Sequence, residues 1–142
     1  MAENADENTD PEHEHVHGPR HFGAAAPVLR VPDVVAAAEY YRDRFGFEIN
    51  FIWGEPPEYA TISRDHVGVH FSKSAVLLPS EIDQVSNIYV FVTDIDEVHD
   101  ELRDRGAQIT AGLETWPYGM REFAVEDLNG YRLCFGEGLE AT

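Results

Sequence analysis

One stretch of this chain occurs twice, and that repeat constrains the fold more than any other feature. Val31-Pro-Asp33 leads into an apolar-periodic run ending Arg42-Asp43-Arg44, and Val92-Thr-Asp94 leads into another ending Arg103-Asp104-Arg105. Every matched position lies 61 residues from its counterpart. The two copies fill most of the 142 residues, enough chain for one domain with a real core and too little for two ordinary ones. A duplicated module, with a pocket between its halves, is the expected architecture.

Local patterning gives each half the same order of elements. Ala26–Val31 reads as a short strand, and Asp33 as the N-cap of a helix whose apolar face is Val34, Ala38, Tyr41 and Phe45. Gly46 is placed to end it. Three strands are expected at Phe47–Trp53, Tyr59–Arg64 and Val67–Lys73, divided by Glu55-Pro-Pro57 and Asp65-His66. Residues 74–86 read as a connector. The second half repeats the pattern with a strand at Ile88–Val92 and a helix capped by Asp94, with Glu97 three residues on. That helix buries Ile95, Val98 and Leu102 and stops at Gly106. Strands follow at Gln108–Leu113, Met120–Glu126 and Tyr131–Gly136, with Asn129-Gly130 turning the last pair. The fold class is therefore α+β, as two βαβββ modules.

Residues 1–22 stand apart. They hold six acids and one arginine with almost no large apolar side chain, so they cannot pack a core and read as a disordered tail. Residues 23–142 form the single domain, with modules at about 25–74 and 87–138. Within the tail, His13, His15, His17 and His21 are spaced to hold a transition metal in an extended chain, or are simply incidental.

Charge and composition narrow the partners. With 27 acids against 10 bases the net charge is −17. Nucleic acid is excluded as a partner, because phosphates need a basic surface. A cationic ligand is permitted, since an acidic field draws cations in; the same acidity equally serves solubility or a salty habitat. No apolar run reaches membrane-spanning length, and the N-terminus lacks a secretory pattern. The single Cys134 cannot form an internal disulfide, which fits the cytoplasm. There is no glycine-rich phosphate loop, zinc-type cysteine pair or Gly-x-Ser-x-Gly elbow.

The motifs Leu29-Arg-Val-Pro-Asp33, Tyr40-Tyr-Arg-Asp-Arg-Phe-Gly-Phe47 and Tyr118-Gly-Met-Arg-Glu-Phe-Ala-Val-Glu-Asp-Leu-Asn-Gly-Tyr-Arg-Leu-Cys-Phe135 resemble the vicinal oxygen chelate superfamily. That group includes glyoxalase I, extradiol dioxygenases, fosfomycin-resistance enzymes and bleomycin-resistance proteins. The resemblance covers roughly residues 25–138 and implies half-open curved sheets around a cleft, commonly at a homodimer interface. It also implies four metal-ligand positions on the first and last strands of the modules, which here read Ala26, His70, Asn87 and Cys134. A catalytic site of that type needs three or four His, Glu or Gln donors around an open face. Ala26 has none and Asn87 is a poor one, so neither a metal nor another cofactor is expected.

Metal-free members of the superfamily include the bleomycin-resistance proteins, whose Trp-Gly-Arg-Glu-Phe-Ala-Leu stretch is similar to the segment from Tyr118 to Asp127. The resemblance implies a small-molecule binding protein that sequesters a cationic or aromatic ligand in a dimer cleft. Its candidate ligand-binding residues are Phe51, Trp53, Tyr59, His70, Trp116, Tyr118, Arg121 and Glu122. Flat rings stack on planar ligands and face cations favourably, and Glu55, Glu58, Asp65 and Glu122 could receive a cationic group. Several of these aromatics could equally be core or dimer contacts. Because Arg121 and Glu122 alternate around Phe123, only one of them faces the ligand. The alternatives are a metal-dependent lyase, isomerase or dioxygenase using His70, and a regulatory module with the tail as metal sensor.

Overall fold

A computed structural model describes residues 21–75 and 86–139. The readings of His13, His15 and His17, and of most of the connector, fall outside the described residues. In each module a strand and a helix precede three strands. The first module runs β1 (Val28–Val31), α1 (Val34–Phe45), β2 (Glu48–Trp53), β3 (Tyr59–Arg64) and β4 (Val67–Lys73). The second runs β5 (Ile88–Phe91), α2 (Ile95–Asp104), β6 (Gln108–Thr115), β7 (Met120–Glu126) and β8 (Arg132–Gly138). The sheets are ordered β1-β4-β3-β2 and β5-β8-β7-β6, with the first strand parallel to the last and the other pairs antiparallel.

The α+β class and the duplicated order are those expected. α1 begins where Asp33 Oδ1 accepts from the backbone N–H groups of Val35 and Ala36 at 3.1 and 3.0 Å, and ends at Gly46 with φ +76°. The start of α2 departs from expectation. Asp94 sits in the left-handed region at φ +57° and its side chain caps nothing. Glu137 of β8 does the work instead, accepting from the N–H groups of Asp94 and Ile95 at 3.1 and 3.0 Å. Its carboxylate satisfies donors that the helix cannot, at the end where the macrodipole favours an anion.

Each helix covers one face of its sheet. Val31, Val34, Ala38, Tyr41, Phe45, Ile62, Val69 and Phe71 fill the first layer, and Ile95, Leu102, Phe123, Val125, Leu133 and Phe135 the second. Among the described residues, side-chain contacts of three kinds join the modules. Tyr41 donates to Asp127 Oδ2 at 2.7 Å, and Tyr131 donates to the Arg30 carbonyl at 2.7 Å. Arg64 bonds Glu101 in bidentate fashion at 2.8 and 3.1 Å while also donating to the Phe45 carbonyl. The repeated Arg-Asp-Arg motif makes the third set. Arg44 donates to the Gly106 carbonyl at 2.9 Å, and its counterpart Arg105 donates to the Asp43 carbonyl at 3.4 Å. Each arginine closes the end of the other module's helix.

Candidate functional site

The face of each sheet turned away from its helix is open and aromatic. In the first sheet, strand register places Val28, His70, Thr61 and Phe51 in one row and Arg30, Ser72, Tyr59 and Trp53 in the next. Side chains directly opposite on neighbouring strands share a face, so Phe51, Trp53, Tyr59 and His70 stand together. Trp53 is 59% exposed, although large apolar rings are normally covered. A groove of about 320 Å³ runs between Phe51, Trp53, Glu58, Tyr59 and Ser72. The Tyr59 hydroxyl lies 2.8 Å from His70 Nδ1, with the rings edge to face. This contact fixes the imidazole and leaves Nε2 as its other polar atom.

The second sheet presents Tyr89, Cys134, Ala124 and Ala111 in one row and Phe91, Gly136, Glu122 and Glu114 in the next. Glu122 is the centre of this face. Its carboxylate accepts from the Tyr89 hydroxyl at 2.6 Å and from the Tyr118 hydroxyl at 2.9 Å. Desolvation first, and then the bond to Glu122, hold both phenols above their ordinary range. Trp116 and Tyr118 lie parallel with ring centroids 6.1 Å apart, and Tyr89 tilts against Phe91 at 5.0 Å. Gly136 is the notch for the Tyr89 ring, because a Cβ there would collide with the phenol.

Arg121 points the other way. Neighbouring side chains on a strand alternate in facing, and Phe123, two residues on, is buried under α2. Arg121 accordingly donates to Asp96 of α2 and to Thr115, at 2.8 and 2.9 Å. The predicted aromatics thus form two groups, one on each sheet, and among the described residues no ring contact joins them. Asp65 belongs to neither group and sits on the β3–β4 turn. Tyr89 and Gly136 were missed. The usable signal was the alternation of Ile88-Tyr-Val-Phe91 at a sheet edge, where Ile88 and Val90 face the core and Tyr89 and Phe91 must face outward.

The implied metal positions do not supply a chelating set. Ala26 offers no donor, and Asn87 Oδ1 accepts from the Arg132 backbone N–H at 2.9 Å. The Cys134 thiol is pushed up to about 11, by burial first and by Glu122 second, so it stays protonated at neutral pH. Among the described residues no three His, Cys, Asp or Glu side chains gather as metal ligands. His70 alone is a plausible donor, and no chemistry can be routed through a metal held that way.

The sequence matches the Glyoxalase/Bleomycin resistance protein/Dioxygenase superfamily over residues 19–135, and the chain belongs to that family. Among solved structures it is similar to the bleomycin-binding protein from bleomycin-producing Streptomyces verticillus, complexed with copper(II)-bleomycin. The two are 27% identical with a TM-score of 0.61, covering 87% of this chain and 100% of that one. TioX from Micromonospora sp. ML1 shares 22% identity with a TM-score of 0.63, covering 84% and 99%. A glyoxalase/bleomycin resistance protein/dioxygenase from Alicyclobacillus acidocaldarius reaches a TM-score of 0.69 at 14% identity, covering 80% and 89%. No curated protein matches the sequence. No helix among the described residues is long and apolar enough to cross a membrane.

Proposed function

We propose that the protein is a metal-independent, noncovalent binding protein of the bleomycin-resistance type. Two copies pair so that the open face of one module is roofed by a face of the partner, and a cationic, aromatic ligand is held between them. It works in the cytoplasm and protects by sequestration, as an antibiotic-resistance protein would. The observation that carries this reading is Glu122, a carboxylate held by two phenols and flanked by exposed rings.

The chemistry suits such a ligand. A cation about 4 Å from Glu122 gains about 1 kcal/mol in bulk water and up to about 4 at an effective dielectric constant near 20. Each ring face adds roughly 0.5–2 kcal/mol depending on desolvation. A roof over the face is therefore what turns weak attraction into binding. The net charge of −17 favours capture of cations.

Calorimetric titration with metal-free bleomycin tests the reading. A dissociation constant tighter than about 100 μM, near −5.5 kcal/mol, is expected, and weaker binding overturns it. Light scattering should give twice the monomer mass. The metal-enzyme alternative predicts stoichiometric divalent metal in protein lacking residues 1–22, where less than about a tenth of an equivalent is expected.

A further inference from the structure

The two modules repeat one sequence pattern and one strand order, and the two junctions between them are filled differently. At the first, Tyr41 and Tyr131 plug the space between modules, their hydroxyls bonded to Asp127 and to the Arg30 carbonyl. At the second, the counterpart of Tyr41, 61 residues on, is Leu102. The counterpart of Tyr131 is Val67, since each stands three residues before the closing-strand residue that pairs with Val28 or Tyr89. Neither aliphatic side chain spans the gap. A cavity of about 350 Å³ remains among the described residues, walled chiefly by Phe45, Phe47, Val67, Val90, Val98 and Leu102, with Asp65, His66 and Thr93 also lining it.

Its volume lies in the range of small-molecule sites, and its walls are mainly apolar. One polar group is directed there by the ladder. β5 is a free edge, and the Val92 N–H donates to the Gly136 carbonyl at 2.9 Å. In a parallel ladder alternate residues face the partner strand, so the backbone groups of Phe91 turn off the edge. Those of its counterpart Arg30 do the same, and the Arg30 carbonyl receives the Tyr131 hydroxyl. At the rim the Arg64 guanidinium is committed to Glu101 and the Phe45 carbonyl, and Asp65 lines the same opening, which disfavours an anionic guest.

We propose that this cavity is a second ligand site, separate from the aromatic faces, for a small neutral aromatic molecule with one hydrogen-bond donor. A phenol fits the description, seated as Tyr131 is at the other junction and donating to the Phe91 carbonyl.

The test uses the full chain and 4-fluorophenol, followed by fluorine NMR. Saturable binding on the order of 1 mM is expected for so small a ligand. 4-Fluorotoluene, which lacks the donor, should bind about five-fold more weakly. Val67→Tyr supplies the missing ring and Val98→Phe fills the cavity from α2. Each, once its circular dichroism melt shows a folded protein, should weaken binding about ten-fold or more. Trp53→Ala and Tyr118→Ala should leave it intact, which separates this site from the faces and its failure from theirs. In the unmodified protein, ligand protons should show NOEs to the Val98 and Leu102 methyls. Absence of those NOEs, no saturation, equal affinity for 4-fluorotoluene, unchanged binding in a folded filled variant, or loss in the face variants would each overturn the proposal. So would binding that falls as protein concentration rises, the mark of a second copy occupying the space.

Discussion

Glu122 shows how much one side chain decides on an otherwise apolar face. Replacing it with glutamine keeps the shape and removes the charge. Glu122→Gln should weaken a cationic ligand about ten-fold, corresponding to about 1.4 kcal/mol, while neutral aromatics bind as before. Ultraviolet titration should also show Tyr89 and Tyr118 ionising at lower pH than in the parent, because the Glu122 charge, which together with desolvation holds them up, is gone. Asp127 obeys a different logic. It is 5% exposed, and burial raises its carboxyl while donors from Tyr41, Asn129 and Tyr131 pull the other way. A carboxyl raised in the folded state costs stability when ionised, and that cost disappears as pH falls through its folded value. Tyr41→Phe removes one donor and should cost about 1–3 kcal/mol at pH 7 by denaturant unfolding. The loss should shrink at acid pH, where the carboxyl is neutral. The sequence could name Arg121 and Glu122 as alternating, but which of them faces outward is decided by α2, 25 residues away, whose Asp96 takes Arg121.

The elements themselves were largely readable, and the exceptions share a cause. β3, β4, β7 and both helices lie where periodicity and glycine stops put them, since those signals are local. The cap of α2 was not readable. Glu137 lies 43 residues from Asp94 in sequence, and only the sheet brings it to the helix. Tyr89 was lost for a related reason, because an edge strand apolar on both faces looks like core. The two helix-ending glycines separate strain from crowding. Both need positive φ, at +76° and +91°, but a Cβ on Gly46 would meet Arg64 Nη1 at 2.7 Å whereas one on Gly106 comes no nearer Arg44 than 3.6 Å. Gly106→Ala should therefore cost about 1–2 kcal/mol, the left-handed penalty alone. Gly46→Ala should cost more, with the difference read from paired denaturation curves and reduced in an Arg64→Ala background.

At the scale of the whole molecule, the duplication gives the fold and an opening between the halves, but not which residues line it. The opening between the halves exists, yet its lining shares no residue with the predicted aromatic set. The junction is held partly by Arg64 and Glu101, each about a third exposed, so solvent screening limits the pair to about 0.5–1 kcal/mol. Hydrogen bonding by Arg64, opposed by partial burial and supported by Arg105, holds the Glu101 carboxyl below its usual range. A lowered carboxyl contributes stability that is present above its unfolded value and lost as pH falls through its folded one. Arg64→Ala should thus lower stability at pH 7, and the gap from the parent should narrow below about pH 4.

The paired contacts of Arg44 and Arg105 bear on what a repeat permits. Each reaches the end of the other's helix with the same residue type from the same motif, although the acceptors differ: Arg44 takes the Gly106 carbonyl, and Arg105 takes that of Asp43 rather than of Phe45, the counterpart of Gly106. The reciprocal use of one motif approaches an isologous interface, in which residue i meets j and j meets i, without being fully symmetric. A repeat held within one chain leaves each half free to diverge: one junction carries Tyr41 and Tyr131, and at the other the described residues leave an opening.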